Sequence, residues 1–297
     1  MARRSSARKA GRGGAPRRVT AVADLRRAVA TWRRRGESVA FVPTMGAIHA
    51  GHLSLVANAR RSAKHVVASI FVNPLQFGPG EDFRRYPRPI RRDRAAFARA
   101  GVDLLWEPRV EDIYPPGDRT RVHVSGLTEF LEGAARPGHF EGVTTVVMRL
   151  LNAVQPDVVW LGQKDAQQAI VIERMCADLL APVEVRRGAT VREPDGLALS
   201  SRNAYLSAHE RQHAVALSQG LASARALLER GERSAARLAK AVRAEWAGYP
   251  LVREDYVAVV DAATLEAVRS VRARVLVAVA ARVGPARLID NFEWSPR

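Results

Sequence analysis

The stretch Ser38-Val-Ala-Phe-Val-Pro43-Thr-Met-Gly-Ala-Ile-His49-Ala-Gly-His52-Leu-Ser-Leu55 decides the fold. Ser38 to Pro43 is a short apolar run that reads as a strand. The chain turns at Met45-Gly46, and helical character resumes from Leu53 to Lys64. His49 and His52 stand three residues apart where turn and helix meet, so they share one side of a helical turn. Gly46 and Gly51 keep the backbone open beside them. Free N–H groups at a helix start attract phosphate oxygens. Donors held there can stabilise charge on a phosphorus under attack, each contributing about 3 kcal/mol in the transition state. Nucleotide chemistry is the leading expectation. The same pair also suits plain helix-capping histidines or half of a metal site, although no third ligand stands at zinc spacing.

Outward from this stretch the pattern repeats. Ala21 to Arg34 reads as a helix, with Leu25, Val29 and Trp32 at helical spacing. His65-Val-Val-Ala-Ser-Ile-Phe-Val72 is almost wholly apolar, as a strand buried on both faces should be, and Asn73-Pro74 ends it. Glu81 to Arg94 is polar and basic, and Ala95 to Ala100 is helical. Val102 to Trp106, Val158 to Leu161 and Pro182 to Arg186 are further strands. Strands alternating with helical spans predict βαβ units, a mostly parallel sheet and right-handed crossovers. The composition changes near Thr190. Ala208 to Trp246 is helix-rich, and Tyr256 to Val260 and Val275 to Ala280 read as strands. The expected class is α/β: a parallel-sheet domain over residues 19–189 and a smaller α+β domain over 190–297.

The 297 residues suffice for one large domain or two modest ones. The formal net charge is +17. The first eighteen residues hold seven of the positive charges (Arg3, Arg4, Arg8, Lys9, Arg12, Arg17 and Arg18) and no acid, so +10 remains without them. Residues 1–18 read as a disordered basic extension. Its composition suits a contact with nucleic acid or an anionic surface, an organellar transit peptide, or an extension without a role. No apolar run is long enough to cross a bilayer, so no membrane contact is expected, and no apolar core follows the basic start. The single cysteine, Cys176, lies in a helical stretch and reads as a buried thiol, consistent with a reducing, cytoplasmic setting. Zinc-finger spacing, an RNP strand and a heptad basic region are all missing. So are a P-loop, a dinucleotide fingerprint after a strand and a Gly-x-Ser-x-Gly elbow.

Other segments carry chemistry at strand ends. Asn73-Pro-Leu-Gln76-Phe-Gly78 follows a strand directly, where open α/β sheets bind ligands. Asn73 and Gln76 can orient a hydroxyl or carboxylate, or simply build a turn. In Gly162-Gln-Lys164-Asp165-Ala-Gln167-Gln168, Lys164 can meet a phosphate, and Asp165 can hold that lysine, a ribose or the helix start. Leu199-Ser200-Ser201-Arg202-Asn203 offers hydroxyl and guanidinium donors after the turn Glu193-Pro-Asp-Gly196. It lies at the domain junction, where pockets form and a second domain can close. Arg136-Pro-Gly-His139-Phe-Glu-Gly142 reads as a shaped loop whose arginine and histidine face an anion. Tyr114-Pro-Pro116 reads as a structural loop. Arg91-Arg-Asp-Arg94 and the set Arg225, Arg230, Arg233, Arg237 and Arg243 read as solvated faces.

Taken together these segments resemble the pantothenate synthetase (pantoate–β-alanine ligase) family. The likeness runs through Pro43 to Leu55, Ser69 to Phe77, Arg136 to Phe140, Gly162 to Gln168 and Val191 to Asn203, and spans residues 19 to 297. The His-x-Gly-His element alone would mark only the wider nucleotidyl-transferase superfamily. The resemblance implies a Rossmann-like N-terminal domain, a smaller C-terminal lid and a homodimer. It implies a reaction of pantoate, β-alanine and ATP with Mg²⁺ that passes through pantoyl adenylate and releases pyrophosphate and AMP. It assigns no metal ligand in this chain. Met45, His49, His52, Gly162, Lys164, Asp165, Leu199, Ser200, Ser201 and Arg202 match the ATP site. His49, His52, Lys164, Ser200, Ser201 and Arg202 match its catalytic, phosphate-handling members. Gln76, Gln168, Asn73 and Arg136 match the pantoate site, the two glutamines as pantoate-holding side chains. Three positions depart from the family pattern: Leu199 for Met, Gln163 for Glu and Ala166 for Tyr. A nucleotidyltransferase acting on a phosphorylated acceptor, and a nucleic-acid-binding protein, are the alternative readings.

Overall fold

The computed structural model describes residues 15–296. Six strands, β1 (Arg17–Val19), β2 (Val39–Thr44), β3 (His65–Ile70), β4 (Leu104–Trp106), β5 (Val158–Gly162) and β6 (Glu184–Gly188), form one sheet. Its order is β1-β4-β3-β2-β5-β6 and every pairing is parallel. Seven helices accompany it: α1 (Val22–Arg33), α2 (Ala50–Ser62), α3 (Ile90–Ala100), α4 (Val110–Ile113), α5 (Glu132–Ala135), α6 (His139–Val154) and α7 (Ala166–Asp178). The alternation of side chains along β2 divides the core. Val39 and Phe41 pack with Leu25 and Val29 of α1 and with residues of α6 and α7. Ala40 and Val42 pack with Val56 and Ala59 of α2 and Phe97 of α3. Both faces are covered, which is why these strands read as unbroken apolar runs.

Leaving out the short edge strand β1, the order is that of a Rossmann-like sheet. The chain winds outward from β2 through β3 to β4, then restarts on the other side with β5 and β6. The loops leaving β2 and β5 therefore diverge from adjacent strand ends. Such a switch point leaves a crevice at the carboxyl ends of the strands.

The smaller α+β part holds α8 (Ala208–Ala214), α9 (Ala216–Glu229), α10 (Ala235–Trp246) and an antiparallel sheet of β7 (Val252–Asp261), β8 (Val275–Val283) and β9 (Ala286–Trp294). One face of this sheet packs on α9 and α10 through Val277, Val279, Leu288 and Phe292. From its other face, Leu276 and Ala278 join the core of the N-terminal sheet. A swing of the whole second domain would therefore expose apolar surface.

Four sequence readings change. Strand β1 takes in Arg17 and Arg18, whose backbone pairs with Leu104 and Leu105; residues 1–14 of the proposed extension lie outside the described residues. Helix α3 starts at Ile90, not Ala95, because Asp93, Ala96 and Phe97 form its buried side while Arg91 and Arg92 face outward. The segment read as a shaped loop at Arg136–Gly142 runs into α6, which is buried almost all round. A helix without a solvated stripe gives no 3.6-residue polar period to read. Strand β9 is an element that periodicity does not disclose, since its polar side chains hide the apolar alternation. Among the described residues no helix is long and apolar enough to cross a membrane.

Candidate active site

The turn after β2 delivers His49 to the N-cap of α2. The His49 Nδ1 accepts a hydrogen bond from the Gly51 N–H at 3.1 Å, and the His52 Nδ1 accepts from the His49 N–H at 3.4 Å. A ring nitrogen that accepts carries no proton, so the proton of each neutral ring sits on Nε2. The two rings lie 4.1 Å apart, centre to centre. Gly51 is required here: a Cβ would stand 2.8 Å from the His49 ring.

Burial, reinforced by the Lys164 ammonium, lowers the His49 pKa to about 4. Burial and the neighbouring His49 lower His52 to about 3. Both imidazoles are thus neutral N–H donors at pH 7, not cations. In the unfolded chain each would titrate near pH 6.5. Between that value and the folded one, the unfolded state binds more protons. These groups therefore lend stability that is complete above about pH 6.5 and is lost as pH falls through about 4 for His49 and about 3 for His52. The ring signals of His49 and His52 in a nitrogen-edited NMR titration of the folded protein are expected to stay fixed between about pH 8 and pH 5.5. A midpoint near the ordinary histidine value would refute the assignment.

A buried acid shapes the turn itself. Asp93, only 1 % exposed, accepts from the Ala47 N–H at 2.9 Å and the Ile48 N–H at 2.8 Å. It holds Gly46 (φ 87°) and Ala47 (φ 52°) in the left-handed region. The reading of Arg91-Arg-Asp-Arg94 as a solvated face fails at Asp93. The signal is its register with Ala96 and Phe97, three and four residues on.

Asn73 caps the 3₁₀ turn Pro74–Gln76. Its amide donates to Gln76 Oε1 at 3.1 Å and to the Gly142 carbonyl at 3.0 Å, and its oxygen accepts from the Tyr114 hydroxyl at 2.8 Å. Asn73 is thereby saturated by protein partners and holds Gln76, whose amide lies 3.2 Å from the Met45 sulfur. Across the switch point, Gln163–Asp165 form a 3₁₀ turn leading from β5 into α7. The Lys164 Nζ stands 3.5 Å from Asp165 Oδ1. Burial works against ionisation of Asp165, but Lys164, with Arg202 adding, holds its carboxyl below the usual range. Gln167 turns away to bond Leu127 and Phe130 carbonyls, while Gln168 faces the cavity.

Ser200 caps a third 3₁₀ turn, Ser201–Tyr205, and the Ser201 hydroxyl lies 3.2 Å from that of Tyr86. Arg202 makes a two-pronged pair with Asp82 at 3.0 and 2.9 Å. Arg136 makes another with Glu81 at 2.8 and 2.6 Å and also donates to the Gln76 carbonyl. The two guanidiniums expected to await an anion are therefore already paired, by adjacent acids in a segment that reads merely as polar and basic. Lys164 makes no such two-pronged pair, only the single longer contact with Asp165.

A cavity of about 230 Å³ is lined by all fourteen residues singled out above: Met45, His49, His52, Asn73, Gln76 and Arg136, then Gly162, Lys164, Asp165 and Gln168, then Leu199, Ser200, Ser201 and Arg202. It shares Arg136, Lys164, Asp165 and Arg202 with a cleft of about 850 Å³ whose lining from the second domain includes Tyr256, Arg287 and Asn291. His139, read from the sequence as facing an anion, also lines the cavity; sequence reasoning missed Tyr86, Ala189, Thr190 and Val191, which line it too. The last three follow β6, so the strand-end rule marks their place. Of the departures, Leu199 lines the cavity and Ala166 is buried. Gln163 donates to Glu293 at 3.1 Å, where a glutamate would set two carboxylates together.

The family profile described as pantoate-beta-alanine ligase matches residues 17–293. The chain is similar to the pantothenate synthetase of Moorella thermoacetica, with 53 % identity over 270 residues, 91 % of this chain and 95 % of that one. Its structure is similar to that of the pantothenate synthetase from Thermus thermophilus, with TM-score 0.90 and 51 % identity, over 94 % of this chain and all of that one. It is also similar to the pantoate-beta-alanine ligase from Francisella tularensis complexed with beta-gamma ATP and beta-alanine. There the TM-score is 0.76 and the identity 30 %, over 94 % of this chain and 97 % of that one. With likeness on this scale in sequence and in backbone, the chain belongs to the pantoate–β-alanine ligase family, the AMP-forming enzymes that use ATP to condense pantoate with β-alanine through an adenylate.

Proposed function

We propose that the cavity at the switch point between β2 and β5 is where pantoyl adenylate forms, with His49, His52 and Lys164 carrying the phosphoryl charge. The pantoate carboxylate attacks the α-phosphorus of ATP; an O–P bond forms, the α–β bridging bond breaks, and pyrophosphate leaves. The Nε2–H groups of the two imidazoles donate to the phosphoryl oxygens, and the Lys164 ammonium offsets their charge. Ser200, Ser201 and Arg202 receive the departing phosphates, Arg202 exchanging Asp82 for phosphate. Met45, Gly162, Asp165 and Leu199 line the nucleoside side. Gln76 and Gln168 orient pantoate, while Asn73 and Arg136 hold Gln76. The β-alanine amine then attacks the acyl carbon, AMP departs with the electron pair of the anhydride bond, and the amine proton passes to solvent. The observation that carries the reading is the pair of Nε2–H donors set beside Lys164 in one cavity.

Mg²⁺ would supply further neutralisation of the phosphates. Among the described residues no three His, Cys, Asp or Glu side chains converge as a metal cage. Mg²⁺ commonly rides on substrate phosphates with one or two carboxylates. That fits the single carboxylate lining this cavity, Asp165, which would hold it. A homodimer and a cytoplasmic setting belong to the same proposal. Leu179 and Leu180, 53 % and 87 % exposed at the end of α7, offer apolar surface to a second copy. The lone cysteine is buried and free, as suits a reducing compartment.

Replacing Gln76 tests the pantoate side. Gln76→Ala is expected to raise KM for pantoate by about tenfold or more, the loss of a hydrogen bond to a charged group, with KM for ATP little changed. A variant that binds pantoate normally and ATP poorly would reverse the assignment.

A further inference from the structure

We infer that Asn291, on β9 of the second domain, is a positioning residue that fixes Lys164 for adenylate formation. The inference rests on the proposed role of Lys164. Side chains alternate along β9: Ala286, Leu288 and Phe292 enter the second domain's own core. Arg287, Asn291 and Glu293 face the first domain, bonding Glu132, the Gln163–Lys164 turn and Arg187 respectively.

Glu293 also meets the Gln163 side chain, but Asn291 bonds the backbone of the catalytic turn. Its Nδ2 donates one hydrogen to the Lys164 carbonyl at 2.7 Å and the other to the Gln163 carbonyl at 3.1 Å. Its Oδ1 accepts from Gln163 Nε2 at 3.3 Å. Asn291 is 5 % exposed, so water does not replace these bonds at little cost. The Gln163–Asp165 turn has no side-chain cap of its own. Its shape is set from outside, by this amide. Asn291 is itself anchored: its N–H donates to Asp290 at 2.8 Å, and the buried Asp290 carboxylate pairs with Arg192 of the interdomain linker.

Lysine places a point charge at the end of four rotatable carbons. The charge meets a phosphate reproducibly only if the backbone beneath it is fixed. A primary amide carries two hydrogens and no charge, so it can bond two neighbouring carbonyls at once without adding a cation beside Lys164. The second domain thus contributes to the active site through the backbone of the first, and Lys164 is assembled only when β9 is docked.

The test measures two half-reactions separately: pantoate-dependent exchange of pyrophosphate into ATP, and capture of pre-formed pantoyl adenylate by β-alanine. Lys164 acts on phosphate, so the first should suffer and the second should not. Asn291→Ala is expected to slow exchange by about 30-fold, within the range for a misplacement of about 1 Å, and to slow capture by less than about threefold. Asn291→Leu keeps the branched shape, removes both donated hydrogens without burying a charge and should behave likewise, which guards against a truncation that merely unfolds the chain. In a Lys164→Ala background, Asn291→Ala should add almost nothing, because the two act through one group. Equal loss in both half-reactions, or a full additional loss in the double variant, would overturn the inference. If Lys164→Ala alone leaves exchange intact, the role of Lys164 itself is what fails. If Lys164→Ala cripples exchange and neither Asn291 variant does, only the positioning role fails.

Discussion

His49→Ala should slow pantoate-dependent pyrophosphate exchange by about 10²- to 10³-fold while leaving the protein folded, the range for removal of one preorganised donor to a transition-state oxyanion. The reasoning is geometric. The ring proton of His49 sits on Nε2 because Nδ1 accepts from Gly51, and among the described residues that N–H meets no protein acceptor. Alanine removes it, and water entering the gap must reorganise during the reaction. The fold survives because His49 packs at the mouth of a cavity and not in either apolar layer. The structural loss is one helix cap, about 1 kcal/mol. Exchange kinetics together with a thermal melt decide the matter. Wild-type adenylate formation in a folded variant would remove His49 from the reaction.

Gly142→Ala should do the opposite of what helix propensity says. In an ordinary helix interior the change would stabilise by about 1 kcal/mol. Gly142 lies within α6, where the turn Pro74–Gln76 rests on it. A Cβ there would stand 2.7 Å from the Gln76 nitrogen and nearer still to the Leu75 carbonyl. Both are backbone atoms, which cannot rotate out of the way. The Gly142 carbonyl also takes the Asn73 amide. We expect a loss of about 2 kcal/mol, typical of overpacking, and a raised KM for pantoate as Gln76 is displaced. Urea denaturation and pantoate kinetics test both halves. A Gly142→Ala protein that unfolds with the wild type and binds pantoate normally would contradict the close contact.

Much of this is legible in the chain. The strand before His49, the turn at Gly46 and the spacing of the two histidines follow from rules that act over a few residues: apolar runs, left-handed glycine, helix-start donors. Strand-end placement similarly puts Asn73, Gln76 and Lys164 at the carboxyl end of the sheet, the domain junction adds Ser200, and the motifs name the family. Other features come only with the tertiary structure, because they join residues far apart in sequence. Glu81 meets Arg136 across 55 positions, and Asp82 meets Arg202 across 120. No local pattern says that both cations are already paired. Nor does spacing reveal that burial keeps His49 and His52 neutral, that Asp93 turns inward, or that Asn291 grips the Lys164 turn from 127 positions away. Periodicity selects the elements, since it needs only neighbours. Ionisation, burial and long-range hydrogen bonds settle the chemistry, since their energies depend on what the folded chain packs around each group.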